Sequence, residues 1–449
     1  MSTLLVRDAE VLVTLDGARR EIPGGGLFAR DGVVEAVGPS DALPRRADEI
    51  LDARGCVVTP GLISTHHHLF QTLTRAVPGA TEATLFGWLK RLYPIWARLT
   101  PADIRLSAAL GLAELALSGC TTASDHLYLF PNGARLDDSI EGAAETGLRF
   151  HPTRGAMSLG ESAGGLPPDA LTEAEPAILE DCLRVADAFH DPAPGAMLRI
   201  GIAPCSPFSV TPGLMRDAAA LARARGLRLH THLAENAEDV AFSEARFGRR
   251  PGAYAESLGW TGEDVWHAHC VALDPGEIAL FARTGTAVAH CPGSNARLGC
   301  GIAPIRAMRD AGVAVGLGVD GSASNDAASL IGEARLSLLM QRAAGGPAAF
   351  AAREALELAT LGGARALGRD DLGALAPGMR ADLAVWDLGA AGLAGAWDPV
   401  AALVLCDPGP VRDLRVEGRR VVAEGRLVTC DHPRLIEAGR AAARGLAEG

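Results

Sequence analysis

Lysine is nearly missing from this 449-residue chain, in which the 42 basic residues include a single lysine, Lys90. No apolar run is long enough to cross a membrane, and the first residues lack the basic and apolar stretches of a secretory signal. The nine cysteines are odd in number and form no CxxC pair, which argues against a disulfide framework and against a cysteine-ligated zinc site. We therefore expect a soluble, cytoplasmic protein with no membrane partner.

Basic residues are fewer than acidic ones, 42 against 54, and the formal net charge is −12. This negative charge disfavours nucleic acid as a partner. Aromatic residues make up only 4% of the chain, whereas hydrophobic residues reach 48% and support a large buried core. The length allows two or three domains, or one barrel with an appendage.

The middle of the chain alternates apolar, β-rich runs with longer stretches of helical periodicity. We predict strands near Val57–His66, Thr121–Leu127, Leu148–Arg154, Leu198–Pro204, Leu227–Leu233, Asp264–His269, Ala287–His290 and Val313–Val319. We predict helices near Pro101–Ser118, Asp137–Glu145, Glu175–Phe189, Pro212–Arg225, Ala237–Arg246, Pro275–Arg283 and Pro304–Ala311. Eight strand–helix units indicate an α/β fold, a (β/α)8 TIM barrel, whose chemistry takes place at the carboxyl ends of the strands. An open doubly wound sheet is disfavoured, because no GxGxxG turn follows a strand.

Short β-rich segments also lie at both ends of the chain. They are Leu4–Leu15, Gly26–Gly38, Asp382–Trp386, Val411–Val416 and a final pair around Arg420–Val422. They could form two unrelated caps, but we favour one small β-sandwich built from both termini, because chain termini often lie close together. The predicted domains are residues 1–57 and 371–449, which share the sandwich, and residues 58–370, which form the barrel.

The triplet His66-His67-His68 is the most informative motif of the sequence. In an extended segment successive side chains face opposite sides, so His66 and His68 share one face and His67 takes the other. The triplet is internal and follows a strand-like segment, so it is not a purification tag. Two imidazoles on one face can bind one divalent metal ion.

Polar residues also end four other predicted strands, at His232, His269, His290 and Asp320. A lone histidine at a strand end is more often a structural residue, but five strands of one barrel that end this way point to a shared site. Imidazole nitrogens and a carboxylate suit zinc or iron(II). We assign His66, His68, His232 and Asp320 as the ligands of one divalent metal ion.

Glu235 follows His232 by three residues, on the loop above the predicted metal site. A carboxylate in that place can carry protons to a substrate, although a solvated loop glutamate is the alternative. Many barrel enzymes that hold two metal ions bridge them with a carboxylated lysine on the fourth strand. The predicted strand Leu198–Pro204 has no lysine, and Lys90 lies after the first strand, so we expect a single metal ion.

These motifs resemble those of the amidohydrolase superfamily over nearly the whole chain, and more narrowly its cytosine/guanine-deaminase and triazine-hydrolase branch. The matching motifs are Pro60-Gly61-Leu62 before His66-His67-His68, His232-Leu233-Ala234-Glu235, His269-Cys270, His290-Cys291-Pro292 with Ser294-Asn295, and Val319-Asp320-Gly321. The superfamily's C-terminal signature is present at Gly378–Asp382 and is expected to carry no chemistry. The unrelated zinc cytidine deaminases are excluded, since neither HxE nor PCxxC occurs in the chain.

The resemblance implies a catalytic role for three residues. It implies that Glu235 protonates a ring nitrogen of the substrate and that His269 hydrogen-bonds the nucleophilic water or the substrate. It further implies that Asp320 binds the metal and also accepts a proton from that water. The implied reaction is hydrolytic deamination, in which water attacks an amino-bearing ring carbon and ammonia leaves.

The substrate is expected to be a small aromatic heterocycle. Residues 69–100 hold five of the 20 aromatic residues, and a flat ring would stack against side chains such as Trp88, although a lid or a dimer contact is the alternative. Gln71 offers both a donor and an acceptor for the edge of a purine or pterin. Arg154 ends the third predicted strand and either faces the substrate or forms a structural salt bridge.

Within the branch, the resemblance is strongest to bacterial 8-oxoguanine deaminases. It rests on the segments Trp88–Trp96, Ser124–Tyr128, Arg154–Gly160 and Ala203–Phe208. Gln71 and Trp88 also match guanine deaminases, but those enzymes carry an arginine where this chain has Cys205. The resemblance implies 8-oxoguanine as substrate, with Gln71, Trp88, Arg154 and Cys205 near the ring. Isoxanthopterin, guanine and s-triazines remain alternatives, as does a non-catalytic, metal-binding scaffold. We also expect a homo-oligomer.

Overall fold

Residues 2–448, which a computed structural model describes, contain seventeen strands and fifteen α-helices. The strands are β1 Thr3–Val13, β2 Glu21–Arg30, β3 Val33–Pro39, β4 Glu49–Asp52, β5 Cys56–Pro60, β6 Leu62–Ser64, β7 Cys120–Leu127, β8 Arg149–Ala156, β9 Gly201–Pro204, β10 Arg228–Leu233, β11 Val265–His269, β12 Ala287–His290, β13 Val315–Leu317, β14 Leu383–Asp387, β15 Asp413–Val416, β16 Arg419–Ala423 and β17 Arg426–Leu427.

The helices are α1 Leu85–Trp96, α2 Pro101–Leu117, α3 Leu136–Ala144, α4 Glu175–Phe189, α5 Pro212–Ala224, α6 Ala237–Phe247, α7 Pro251–Ser257, α8 Pro275–Thr284, α9 Pro292–Arg297, α10 Ile305–Asp310, α11 Leu330–Gly345, α12 Ala352–Glu357, α13 Gly363–Ala366, α14 Pro399–Leu405 and α15 His432–Glu448. Of the helices between residues 2 and 448, none has the length and apolar character needed to cross a membrane.

Strands β6 to β13 close into a barrel with parallel neighbours throughout. The residues of β7 and β8 are all buried, as expected for strands covered on both faces by a packed interior and by helices. Helix α4 shows the matching pattern on the outside, since Ile178, Cys182 and Val185 recur at helical spacing and are buried. The predicted (β/α)8 barrel is confirmed, and the carboxyl ends of its eight strands meet at one edge.

The segment Val57–His66, predicted as one strand, is two strands that belong to different sheets. Cys56–Pro60 pairs with Leu383–Asp387 in the terminal sheet, whereas Leu62–Ser64 opens the barrel. Gly61 joins them at a point where a side chain has no room, because a Cβ there would lie 2.2 Å from the Thr121 hydroxyl oxygen. The prediction of a single strand was therefore wrong at this junction.

Strands from both termini form one nine-stranded sheet, in the order β17-β16-β15-β14-β5-β1-β2-β3 with β4 beside β1. Its apolar side chains make a core of their own, in which Leu12, Val58 and Leu383 are buried together. The Gly378–Asp382 signature ties this sheet to the barrel. The buried Asp382 carboxylate accepts hydrogen bonds from the Arg149 guanidinium on β8 and from the backbone N–H of Glu417.

Candidate active site

The side chains of His66, His68, His232 and Asp320 converge at the carboxyl edge of the barrel. The Nε2 atoms of His68 and His232 lie 3.0 Å apart. Asp320 Oδ1 lies 3.3 Å from His66 Nε2 and 3.3 Å from His68 Nε2. All four residues are buried. The structure thus brings together the four residues that the sequence predicts as metal ligands.

Hydrogen bonds to the opposite ring nitrogens determine the tautomers of the three histidines. His68 Nδ1 donates to the carbonyl of His126 at 2.7 Å, and His232 Nδ1 donates to the carbonyl of Cys205 at 2.6 Å. His66 Nδ1 lies 2.7 Å from Nε2 of His230, whose own Nδ1 donates to a backbone carbonyl. His66 Nδ1 is therefore the donor of that pair, and each of the three Nε2 atoms carries a lone pair.

The lone pairs of His66 and His68 lie 3.3 Å from the Asp320 carboxylate, and those of His68 and His232 lie 3.0 Å from each other, so these groups repel one another in a buried site. Burial lowers the pKa of His66, His68 and His232, so their protonation does not relieve the repulsion. Within residues 2–448, His66 Nε2 has no hydrogen-bond partner. A divalent cation would satisfy all four groups, and neutral imidazole and carboxylate are its usual ligands. The donor set therefore fits a divalent metal ion.

The backbone at this edge is strained where the site residues leave their strands. Ala234, His269 and Asp320 have φ values of 50°, 69° and 61°, a left-handed conformation that residues other than glycine rarely adopt. Such residues cluster at functional sites, where the surrounding structure holds them against their preference. Here the turns aim His269 and Asp320 toward the centre of the barrel.

His67 lies apart from this cluster, as its place in the triplet predicts. Its imidazole is buried toward α2, close to Gly111, and neither ring nitrogen has a hydrogen-bond partner among residues 2–448. The potential metal-binding groups of the described chain include His66, His68 and His232 but not His67. The alternation of faces through the triplet is therefore as predicted.

Glu235 and His269 stand beside the ligand cluster. Glu235 Oε2 is 3.7 Å from His269 Nε2, and that nitrogen is 4.0 Å from Asp320 Oδ2. Burial raises the pKa of Glu235 to about 7, so the carboxyl group can both give and take up a proton near neutral pH. Burial lowers the pKa of His269, but the Glu235 and Asp320 carboxylates outweigh this and raise it. Both residues are thus placed to exchange protons close to the cluster.

The pocket over this cluster holds three of the four predicted substrate residues, Gln71, Trp88 and Cys205. The Trp88 indole N–H donates to the Ala323 carbonyl at 2.9 Å, and Gln71 Oε1 accepts from the Ala323 backbone N–H at 3.3 Å. The Gln71 amide nitrogen is buried and has no partner within residues 2–448, so it remains available to a ligand. The pocket therefore has an apolar wall and a free polar group.

Arg154, the fourth predicted substrate residue, does not reach this pocket. Its guanidinium pairs with Glu173 at 2.7 Å and with Asp181 at 2.8 Å, and it lies over the Phe130 ring. The structural salt bridge, the alternative reading of this residue, is the one observed. The partners lie 19 and 27 residues further along the chain, which explains why the sequence did not show the pairing.

Two polar residues next to the catalytic groups were missed in the sequence. The Ser324 hydroxyl donates to Asp320 Oδ2 at 3.0 Å, and His269 Nδ1 donates to the Asn295 side-chain oxygen at 2.9 Å. Asn295 stood in a motif that matched the superfamily, but no role was assigned to it. Ser324 has a weak signal, namely its place four residues after Asp320.

Comparison with known proteins identifies the family. Residues 57–421 match the Amidohydrolase family. The chain belongs to this family. The predicted membership is thereby confirmed.

Two sequence relatives and one crystal structure are similar to this amidohydrolase over most of its length. An 8-oxoguanine deaminase from Pseudomonas aeruginosa is 44% identical, with 100% of each chain covered. An isoxanthopterin deaminase from an unidentified prokaryote is 40% identical over 94% of this chain and 92% of that protein. The crystal structure of an atrazine chlorohydrolase from Arthrobacter aurescens TC1, complexed with zinc, is similar to this chain with a TM-score of 0.93. The match covers 98% of this chain and 100% of that one, at 35% sequence identity.

One metal ion per chain is the expected stoichiometry of the active amidohydrolase. The fourth barrel strand, Gly201–Pro204, carries no lysine that could bridge a second ion, and the side chain of Lys90 is exposed on α1. Metal-depleted protein titrated with zinc or iron(II) should reach full activity at about one equivalent. A rise in activity that continues to two equivalents would contradict this prediction.

Proposed function

We propose that this amidohydrolase is a metal-dependent hydrolytic deaminase of an aminated, purine-like ring, and that its substrate is 8-oxoguanine. The observation that carries the proposal is the placement of Glu235, whose carboxyl group can exchange a proton near neutral pH, 3.7 Å from His269 and beside the ligand cluster. A scaffold protein has no need for such a pair. The full-length similarity to a protein named 8-oxoguanine deaminase supports the choice of ring.

A zinc or iron(II) ion held by His66, His68, His232 and Asp320 would supply an activated water molecule as the nucleophile. Glu235 donates its proton to a ring nitrogen of the substrate, which makes the amino-bearing carbon more electrophilic. His269 hydrogen-bonds the oxygen that adds to that carbon, and Asp320 Oδ2 accepts a proton. The net reaction adds water and releases ammonia, so 8-oxoguanine would give urate.

The groups that line the pocket recognise the ring. The unpaired amide nitrogen of Gln71 can donate to a carbonyl or ring nitrogen, and Trp88 provides apolar surface for a flat heterocycle. The buried Cys205 lines the same pocket without the positive charge that the guanine deaminases carry there. This wall favours a neutral, planar substrate.

An ammonia-release screen over purines, pterins and s-triazines tests the function. We expect the highest kcat/KM with 8-oxoguanine. Ammonia release from isoxanthopterin or guanine alone would keep the deaminase and change the substrate, and displacement of a triazine substituent would favour the hydrolase alternative. No product from any of these rings would contradict the proposal.

Discrimination against guanine should be large. 8-Oxoguanine has a carbonyl and an N–H on its imidazole side, where guanine has an unprotonated nitrogen. A pocket built to hydrogen-bond those groups rejects an analogue that lacks them by up to ~10⁴-fold, because its own buried partners stay unpaired. We expect kcat/KM for 8-oxoguanine to exceed that for guanine by at least about 10²-fold. Steady-state kinetics with both purines measures this, and equal values would contradict the substrate assignment.

Two further predictions concern the whole molecule. We predict a homo-oligomer, and light scattering on the purified protein checks it by comparing the measured mass with the 46.4 kDa of one chain.

We also predict a cytoplasmic location, which cell fractionation checks.

A further inference from the structure

The carboxyl group of Glu235 has a second neighbour besides His269. The Cys300 thiol donates to Glu235 Oε1 at 3.9 Å, on the side of the carboxyl group away from His269. Among the hydrogen bonds of residues 2–448, this is the one that a side chain makes to the Glu235 carboxylate. Cys300 is half-buried, unlike the fully buried Cys205 in the pocket wall.

The loop that carries Cys300 is shaped for this contact. Gly299 and Gly301 flank the cysteine with φ values of 67° and 115°, which residues with a Cβ rarely adopt. The Cys300 backbone N–H donates to the Asn295 carbonyl at 2.8 Å. Because the Asn295 side chain holds His269 at the same time, this short segment positions both partners of the carboxyl group.

We propose that Cys300 is a positioning residue for the deamination. Its thiol keeps the Glu235 carboxyl group between His269 and the bound ring. The proposal rests on the proposed function, since it assigns to Cys300 the orientation of the proton-carrying glutamate.

The chemistry of a thiol suits this role. Burial and the neighbouring Glu235 raise the pKa of Cys300, so the group stays an S–H donor at working pH. A thiol is a weak donor. Its hydrogen bond can therefore orient the Glu235 carboxyl group without strongly reducing the tendency of that group to take up a proton. Alanine would remove the donor and leave the carboxyl group free to rotate away from the ring.

Kinetics of Cys300→Ala and Cys300→Ser on 8-oxoguanine test the role. We expect Cys300→Ala to retain metal and to keep KM within about twofold, but to lose about tenfold in kcat, because misplacement of a catalytic group by a fraction of an ångström is costly. Cys300→Ser restores a donor and should recover kcat to within about threefold of the wild-type value. Cys406→Ala, at another half-buried cysteine outside the pocket, is the matched control and should be silent. Wild-type kcat in Cys300→Ala would overturn the proposal.

Alkylation of Cys300 tests the contact without any turnover. In Glu235→Gln the negative charge beside the thiol is gone, so at pH 8.5 iodoacetamide should modify Cys300 at least about tenfold faster, with Cys406 in the same digest unchanged. Equal rates at Cys300 in both proteins would overturn the inference. If the wild type deaminates no heterocycle, the proposed function fails, whereas the alkylation rates still decide whether Cys300 and Glu235 are coupled.

Discussion

His66→Ala protein is expected to lose its metal and more than about 10³-fold of its kcat/KM. The imidazole provides one of three Nε2 lone pairs, and its removal leaves Asp320 with one fewer partner in a buried site. Metal analysis of the purified variant, together with ammonia release over a range of 8-oxoguanine concentrations, measures both effects. The same result is expected for His68→Ala, His232→Ala and Asp320→Ala.

His67→Ala is the matched control, because it removes the same side chain from the neighbouring position. The His67 ring is buried against α2, and neither of its nitrogens has a hydrogen-bond partner within residues 2–448. The variant should therefore lose about 1–3 kcal/mol of stability through packing while it keeps its metal. Thermal unfolding separates this loss from the loss of metal. A metal-free His67→Ala protein beside a fully loaded His66→Ala protein would contradict the assignment of the ligands.

Glu235→Gln is expected to lower kcat by about 10²-fold or more while metal content and KM stay close to those of the wild type. Glutamine keeps the shape of the side chain and its hydrogen bond from Cys300, but it has no proton to exchange with the ring. Steady-state kinetics with metal analysis on the same preparations measures the effect.

The control for this variant is Glu238→Gln, an exposed glutamate three residues along the chain at the start of α6. Its kcat should stay within about twofold of the wild-type value. Glu235→Gln protein that keeps more than about a tenth of the wild-type rate would show that Glu235 is not the proton carrier.

Much of the barrel could be predicted from the sequence, because its strands are short apolar runs that end in polar residues. Glu175–Phe189 was predicted with the bounds observed, since the apolar positions of that helix repeat at its period. By contrast, Val57–His66 was predicted as one strand, although it contains two. Pro60-Gly61 interrupts the apolar run, but nothing in one sequence shows that the chain changes sheets there.

No helix was predicted within residues 69–100, but they contain α1, Leu85–Trp96. The signal was present, because Leu85, Trp88, Leu89, Leu92 and Trp96 recur at helical spacing and are buried. Pro94 inside the segment argues against a helix, yet here it lies in the last turn. Tyr93 and Trp96 belong to the core, so the aromatic enrichment reflects packing as well as the pocket.

The convergence of the four proposed ligands was predictable because they stand at the ends of strands, where barrel geometry brings them together. The contacts of Ser324, Asn295 and Cys300 were not, because each depends on how a loop returns to the site. The tautomers of the three histidines depend in the same way on backbone carbonyls that only the folded chain supplies.

The central claim, hydrolytic deamination, is tested most directly by product analysis in ¹⁸O-labelled water. Metal-loaded protein should convert each molecule of 8-oxoguanine into one urate and one ammonia, with one solvent oxygen at the carbon that carried the amino group. Consumption of 8-oxoguanine without ammonia, or urate that carries no solvent oxygen, would contradict it.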